Sequence, residues 1–164
     1  IFKSGFKHEF LEKVNDSKLV RPKLREELSE IIKSNSIWAV ESIEIDFINK
    51  FGIGKANNEV FCKVLDKITE KINGSYFILV DGFKIKHPIY FKNQKAIIGG
   101  DTKSLSIASA SIIAKVYRDN LMREASSVYP NYNFKQNKGY GTRFHRDALK
   151  FYGATKFHRT SFID

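Results

Sequence analysis

Several residue types and patterns are scarce in this sequence, and each scarcity excludes a class of protein. Cys62 is the only cysteine among 164 residues, which excludes an intramolecular disulfide and a zinc site built from cysteines. No run approaches the roughly 18 apolar residues of a membrane-spanning helix, and no secretory hydrophobic segment opens the chain. With three prolines and no low-complexity segment or internal repeat, we expect a single domain over residues 1–164. The low cysteine content predicts a reducing, cytoplasmic setting without membrane attachment.

Acidic residues are outnumbered by basic ones. The chain carries 28 lysines and arginines against 18 acids, which gives a net charge of +10. A basic domain of this size is typical of proteins that bind polyanions such as nucleic acids. A solvated basic surface without a specific partner produces the same composition, so charge alone leaves both interpretations open.

Hydrophobic periodicity predicts that helices and strands alternate along the chain. The predicted helices span residues 22–33, 45–49, 55–72, 105–126 and 143–151, and the predicted extended segments span residues 37–43, 76–80, 90–91 and 96–98. Pro22 suits a first helical position, and Thr142 is a suitable N-cap for the last helix. The alternation predicts an α/β or α+β fold.

Two carboxylates follow extended segments. Asp81 ends the apolar run of residues 76–80, and Asp101 follows Gly99-Gly100 immediately before the longest helix. Each has a simple explanation, because aspartate is common in turns and an acid is stabilised near a helix N-terminus. Carboxylates where buried strands end are also a common place for active sites. Taken together, the two acids favour a hard cation such as Mg²⁺, which prefers oxygen ligands.

Two other segments have the composition of nucleic-acid contacts. The turn Asn15-Asp16-Ser17-Lys18 combines an amide, a hydroxyl and an ammonium, a set that can hold a phosphate, although a helix-entry turn explains it as well. Tyr140 lies between two glycines, with Lys138 and Arg143 nearby. An exposed tyrosine there can stack on a base or sugar while the cations contact phosphate. The alternative is a tyrosine packed into its loop.

The remaining candidates receive structural interpretations. His145, His158 and Arg159 match no zinc spacing, and a basic, solvated tail explains them. Cys62 falls in the apolar periodicity of its helix, which predicts a core position. Asp119 lies well beyond Asp101 on the long helix, and we expect it to pair with a basic residue.

Short motifs recur in a fixed order, and their joint order and spacing are more specific than any one of them. In chain order they are Asn15-Asp16-Ser17-Lys18, Arg25-Glu26, Val80-Asp81-Gly82, Gly100-Asp101, the run from Ser106 to Val116, Arg118-Asp119, Tyr129-Pro130, Lys138-Gly139-Tyr140-Gly141-Thr142, His145, Tyr152-Gly153 and His158-Arg159-Thr160-Ser161-Phe162. This series resembles bacterial ribonuclease HII from Asn15 to Phe162.

The resemblance implies a fold and an activity. The fold would be ribonuclease H-like, with a mixed β-sheet flanked by helices and a helical C-terminal region. The activity would be endonucleolytic cleavage of the RNA strand in RNA–DNA hybrids and at single ribonucleotides in duplex DNA. Four acids would hold two Mg²⁺ or Mn²⁺ ions, with Asp81 matching the third acid and Asp101 the fourth. We expect a monomer.

The resemblance also implies substrate contacts. Tyr140 matches the tyrosine that recognises the RNA-to-DNA junction. Asn15, Ser17 and Lys18 match a turn that contacts the nucleic-acid backbone. From their positions beside Asp101 and Tyr140, we expect Lys103 to lie near the scissile bond and Arg143 near a phosphate.

One departure from the family pattern is large. The family's opening strand carries Asp-Glu-Ala-Gly-Arg-Gly, which supplies two acids and the loop that reads the ribose 2′-OH. This sequence contains neither an Asp-Glu pair nor Gly-Arg-Gly. We therefore expect an N-terminally incomplete domain, with Ile1-Phe2 at the end of a strand, and cleavage by these 164 residues alone stays open. The rival hypothesis is a module that binds hybrids without cleaving them. A scaffold would explain the charge but not the ordered motifs.

Overall fold

A computed structural model describes residues 1–2, 9–14 and 16–163. The predicted contact of Asn15 lies outside these residues. Contacts along the chain group into two compact units, one formed by residues 1–42 and 57–116 and the other by residues 43–56 and 117–164. Whether they form a single domain stays a prediction. Within the described ranges, every helix is too short or too polar to cross a bilayer.

Among the described residues, three α-helices precede the two strands and three follow them, and this combination of helices with a small parallel sheet confirms the predicted α/β class. The elements are α1 (Pro22–Ser34), α2 (Ile45–Phe51), α3 (Ile53–Thr69), β1 (Ile78–Asp81), β2 (Gln94–Ile97), α4 (Leu105–Val128), α5 (Phe134–Asn137) and α6 (Arg143–Tyr152). All five predicted helices are present, with boundaries within a few residues of those expected. The C-terminal region is helical, also as expected.

The first unit contains a parallel pair of strands. β1 and β2 run in the same direction, with Ile78 opposite Gln94 and Asp81 opposite Ile97. Side chains along β1 alternate between buried and exposed, so Val80 enters the core while Asp81 faces outward. The buried residues of this core are Cys62, Ile78, Val80, Ile85 and Tyr90. Its inclusion of Cys62 confirms the predicted core position, and burial raises the pKa of that thiol.

The connection from β1 to β2 is fastened by one buried amide. Gln94 Oε1 accepts a hydrogen bond from the Ile85 N–H at 2.7 Å. Its Nε2 donates to the carbonyl oxygens of Ile85 and Tyr90, at 2.8 and 3.1 Å. Buried polar groups that are fully paired in this way fix a loop in one geometry. The turn that follows β2 therefore starts from a well-defined strand.

Two predicted extended segments differ from expectation. Residues 37–43 form no strand in the described structure, although the bridge between Phe2 and Ser36 is antiparallel and the Ile37 N–H donates to the Ile1 carbonyl at 2.8 Å. A β-prone sequence becomes a strand only where a partner supplies hydrogen bonds. Tyr90 and Phe91 lie in a turn, because both backbone N–H groups donate to the His87 carbonyl.

The second unit packs around an aromatic core. Phe134 is 1% exposed and stacks on Tyr132, with ring centroids 5.5 Å apart and planes 10° from parallel. The Thr142 hydroxyl accepts a hydrogen bond from the His145 N–H at 3.3 Å, which confirms the predicted N-cap of α6. At the other end of α6, Gly153 has a φ of +78°, a conformation that favours glycine.

Replacing Phe134 with alanine tests how much this core contributes to the stability of the fold. We expect Phe134→Ala to lower the free energy of unfolding by about 3–5 kcal/mol, because it removes a fully buried ring and leaves a cavity. Phe144→Ala is the matched control, since Phe144 is 57% exposed and its loss should change stability by less than about 0.5 kcal/mol. Urea unfolding measures both. Equal losses in the two variants would contradict this assignment of the core.

Candidate active site

The two candidate acids are joined through one backbone group. Asp81 is the last residue of β1, and its Oδ1 accepts a hydrogen bond from the Gly100 N–H at 2.8 Å. Gly100 is buried and opens the short 3₁₀ turn Gly100–Thr102, which carries Asp101. The acid at the end of β1 is therefore fastened to the turn that holds the second acid.

The Asp101 turn is held by its own backbone. Gly99 lies in the left-handed region at φ +63°, and its carbonyl accepts the Thr102 hydroxyl at 2.9 Å. The Ser104 N–H donates to the Gly100 carbonyl at 2.8 Å, which closes the turn just before α4. The Ser104 carbonyl in turn accepts the Ala108 N–H of the first helical turn. Asp101 is thus held ahead of α4 without capping it through a side-chain hydrogen bond among the described residues.

A side chain at Gly100 would press on α4. A Cβ atom at this position would lie 2.5 Å from Ile107 Cδ1, 3.3 Å from Ile107 Cγ2 and 3.4 Å from Asp81 Oδ1. Glycine is the residue that permits such a close backbone approach. In the pair Gly100-Asp101, the glycine therefore allows close packing against α4, and the aspartate is the candidate functional residue.

Lys103 follows the turn, and its ammonium is exposed. Its Nζ donates a hydrogen bond to the Ile98 carbonyl at 2.7 Å. An ammonium has three donors, so this contact leaves donors for a phosphate. Asp81 ends β1, while Asp101 and Lys103 lie in and just after the turn that follows β2. A site formed by these residues stays a prediction.

The polar turn near the start of the chain is anchored by buried groups. Ser17 is buried, and its Oγ lies 2.8 Å from Ser111 Oγ on α4. Arg25 is buried too, and its guanidinium donates to the carbonyl oxygens of Ser17 and Val20 at 2.6 and 2.7 Å. Ser17 therefore anchors the turn, while Lys18 is exposed. The role of Arg25 was not predicted, and its spacing with Leu28 and Ile32 on the buried face of α1 is the signal that marks it.

In the second unit, Tyr140 is exposed on a tightly turned loop. Its side chain is 55% exposed, so it is not packed into its loop. The Arg118 guanidinium lies over the ring, 5.1 Å from its centroid, and also donates to the Lys138 carbonyl at 3.0 Å. Arg143 is 93% exposed and lies 3.8 Å from the Asp147 carboxylate. An exposed pair at that distance contributes little, so Arg143 can turn toward a ligand.

The expectation of a solvated histidine tail is wrong. His145 and His158 are 4% and 6% exposed, and their Nε2 atoms lie 3.0 Å apart. The His158 ring packs against Tyr132 and Phe134, with centroid distances of 5.1 and 5.4 Å. Burial lowers the pKa of His158, and the neighbouring His145 lowers it further. The polar residues next to each histidine in the sequence gave no sign that the pair is buried, because the burial depends on aromatic residues elsewhere in the chain.

Comparison with known proteins decides the family. A family model described as ribonuclease HII matches residues 6–164. The chain belongs to the ribonuclease HII family. The chain is 47% identical over 151 residues to ribonuclease HII of Clostridium perfringens strain 13, covering 92% of this chain and 54% of the relative. It is 44% identical over 154 residues to ribonuclease HII of Caldicellulosiruptor bescii, covering 93% of this chain and 72% of the relative.

Family membership confirms the resemblance drawn from the motifs, and the helices around a small parallel sheet agree with a ribonuclease H-like fold. A further relative, ribonuclease HII of Caldanaerobacter subterraneus, is 41% identical over 157 residues, or 94% of this chain and 63% of the relative. The chain spans about half the length of the Clostridium perfringens relatives it matches.

The donor atoms of the site suit a hard divalent cation. One oxygen of Asp81 accepts the Gly100 N–H, and the other has no hydrogen-bond donor among the described residues. The Asp101 carboxylate also lacks a side-chain partner within that part of the chain. Carboxylate oxygens are the ligands that Mg²⁺ and Mn²⁺ prefer. Over the same residues, no three His, Cys, Asp or Glu side chains group closely enough to enclose a metal.

The close contact at Gly100 can be tested by a pair of substitutions. We expect Gly100→Ala to lower the free energy of unfolding by about 1–3 kcal/mol, because its methyl group would press on Ile107. The loss should be smaller in an Ile107→Val background, since valine lacks the Cδ1 atom. Gly141→Ala is the control, because no atom lies within 4 Å of its added Cβ. The same loss at Gly100 in both backgrounds would contradict the packing argument.

The buried histidines predict a pH dependence of stability. Because the pKa of His158 is lower in the folded protein than its ordinary value of about 6.5, the unfolded chain binds the proton more readily. The free energy of unfolding should therefore be highest above about pH 6.5 and fall as the pH drops from there toward the folded-state pKa. Urea midpoints measured from about pH 7.5 to 5.5 test this. His158→Gln should flatten the decline, and an unchanged decline would contradict the assignment.

Proposed function

We propose that the protein is an endoribonuclease that hydrolyses the RNA strand of RNA–DNA hybrids and cuts at single ribonucleotides embedded in duplex DNA. The observation that carries the proposal is the hydrogen bond from the Gly100 N–H to Asp81 Oδ1, which fastens the exposed acid at the end of β1 to the turn that carries Asp101. Membership of the ribonuclease HII family supports the same activity. The net charge of +10 favours a polyanionic substrate and speeds its capture.

Asp81 and Asp101 are the proposed metal ligands. Two Mg²⁺ or Mn²⁺ ions bound there would supply an activated water and would stabilise the leaving oxygen of an in-line displacement at phosphorus. The chain's own contribution is rigidity, because the Gly100 hydrogen bond keeps one Asp81 oxygen in place and aims the other outward. Preorganised carboxylates lose little entropy when they take up a ligand.

Residues of each unit are proposed to contact the substrate. Lys18 and Lys103 would contact phosphates near the site, with the buried Ser17 keeping the Lys18 turn in place; Asn15 is proposed for the same contact from the sequence alone. Tyr140 would stack at the junction between RNA and DNA, and Arg143 would bind a nearby phosphate. Contacts to phosphate position a nucleic acid, whereas RNA is distinguished from DNA through the 2′-OH. We further propose a cytoplasmic, monomeric protein.

A cleavage assay tests the proposal. A labelled duplex with a single ribonucleotide is incubated with Mg²⁺ and either this chain or a version extended at its amino terminus with a strand that carries Asp-Glu-Ala-Gly-Arg-Gly. We expect the extended chain to cut. Asp81→Asn and Asp101→Asn should each slow cutting at least about 100-fold, because each removes a charged metal ligand.

Asp46→Asn is the matched control, since Asp46 is an exposed acid on α2 and its replacement should leave the rate unchanged. If the extended chain binds the duplex but does not cut, the enzyme proposal fails and hybrid binding without cleavage takes its place. Unchanged cutting by Asp81→Asn would equally overturn the proposed ligand set.

A further inference from the structure

A directional chain of hydrogen bonds leads from the C-terminal segment to Tyr140. The Thr155 N–H lies 2.8 Å from His158 Nδ1, and His158 Nε2 lies 3.0 Å from His145 Nε2. His145 Nδ1 lies 2.9 Å from the Tyr140 carbonyl oxygen. The segment Tyr140–His145 and the segment Thr155–His158 are thus connected in a line within the second unit.

The chemistry of the end groups fixes every proton in this line. A backbone N–H only donates, so His158 Nδ1 accepts from Thr155 and the proton of that ring is on Nε2. A carbonyl only accepts, so His145 donates through Nδ1 and its Nε2 accepts from His158. Both rings are therefore neutral, each in one tautomer, and no other arrangement satisfies all three contacts. An added proton on either ring would place two donors face to face.

Packing around the two histidine rings holds each of them in one position. Both histidines are almost fully buried and pack against Phe134, with ring centroids 5.4 Å away in each case. Buried polar groups that are completely satisfied make a rigid network, because any displacement leaves an unpaired group in a low-dielectric interior. The far end of this rigid network is the backbone of Tyr140.

Tyr140 is thus held at two places. His145 fixes its carbonyl, and the Tyr140 N–H donates to the Asn137 carbonyl at 2.8 Å. Arg118 lies over the ring and also binds the Lys138 carbonyl, which precedes the tyrosine by two residues. The loop itself is demanding, since Lys138 and Gly139 have φ values of +51° and +77°. An exposed aromatic on such a loop needs support from behind if it is to hold one orientation.

We propose that His145 and His158 are positioning residues that hold Tyr140 in its substrate-binding orientation. This inference rests on the proposed function, because it assigns the pair a role in the contact between Tyr140 and the RNA–DNA junction. Ordering the loop before the substrate arrives lowers the entropy cost of binding. The histidines themselves are buried and do not touch the nucleic acid.

The test compares substitutions that keep or remove the hydrogen-bonding atoms. An asparagine amide reaches the place of a histidine Nδ1, so His145→Asn can still donate to the Tyr140 carbonyl, whereas His145→Leu cannot. A glutamine amide reaches the place of Nε2, so His158→Gln can still donate to His145, whereas His158→Leu cannot. Each variant is made in the wild-type chain and in a Tyr140→Ala background. The measurement is the Kd for a fluorescent duplex with a single ribonucleotide, without metal, by anisotropy.

We expect the two leucine variants to weaken binding about 2- to 10-fold, as expected for loss of one hydrogen bond, and the amide variants to retain most of the affinity. In the Tyr140→Ala background neither leucine substitution should weaken binding further, because the tyrosine through which they act is gone. Leu149→Ala, which removes a partly buried side chain from the same core, is the control for general destabilisation and should leave the Kd unchanged. Equal weakening in both backgrounds, or none in either, overturns the proposal.

The proton positions give a readout that does not depend on binding. Long-range ¹H–¹⁵N spectra of the chain should show His145 protonated on Nδ1 and His158 on Nε2. The opposite tautomer at His145 overturns the inference even if hybrids bind well. If instead the tautomers are as expected and the unmodified chain does not distinguish the ribonucleotide duplex from plain DNA, the proposed function fails while the hydrogen-bond chain stands.

Discussion

The hydrogen bond from the Gly100 N–H to Asp81 Oδ1 joins the three elements on which the candidate site depends. Parallel pairing brings the carboxyl ends of β1 and β2 to one edge. The turn after β2 then passes so close to Ile107 on α4 that a Cβ atom at Gly100 would press on the Ile107 side chain. The backbone of Gly100 therefore links the end of β1, the turn after β2 and the first part of α4. The two acids gain their geometry from this contact, since neither has a side-chain partner among residues 1–2, 9–14 and 16–163.

The second unit uses buried polar groups to support an exposed aromatic residue. Tyr140 presents its ring to solvent, while His145 and Arg118 hold it from behind. The histidines are stable in the core only because each ring nitrogen is paired. Electrostatics and packing work in the same direction here, because the burial that excludes water from this core also lowers the pKa of His158. A loop with two consecutive left-handed residues is thereby held in one conformation.

Periodicity and short motifs predicted the local features well. The apolar spacing of α1, the N-cap at Thr142 and the acids at strand ends follow from neighbours in sequence, and family membership bears out the motif order. Features that depend on distant residues were not predictable. His145 and His158 are separated by twelve residues and meet only through the aromatic core. The approach of Ile107 to Gly100 and the burial of Arg25 likewise depend on how whole elements pack. Residues 37–43 were expected to be extended because their composition is β-prone. Local composition does not reveal whether a partner strand lies alongside.

The central claim is that Asp81 and Asp101 face one metal-binding position. Titration of Mn²⁺ into ¹⁵N-labelled protein tests it most directly, because the paramagnetic ion broadens the signals of nearby amides. The account predicts selective broadening at Gly82, Gly100 and Asp101, and its loss in Asp81→Asn. Broadening centred on another acid, or unchanged broadening in Asp81→Asn, would contradict it.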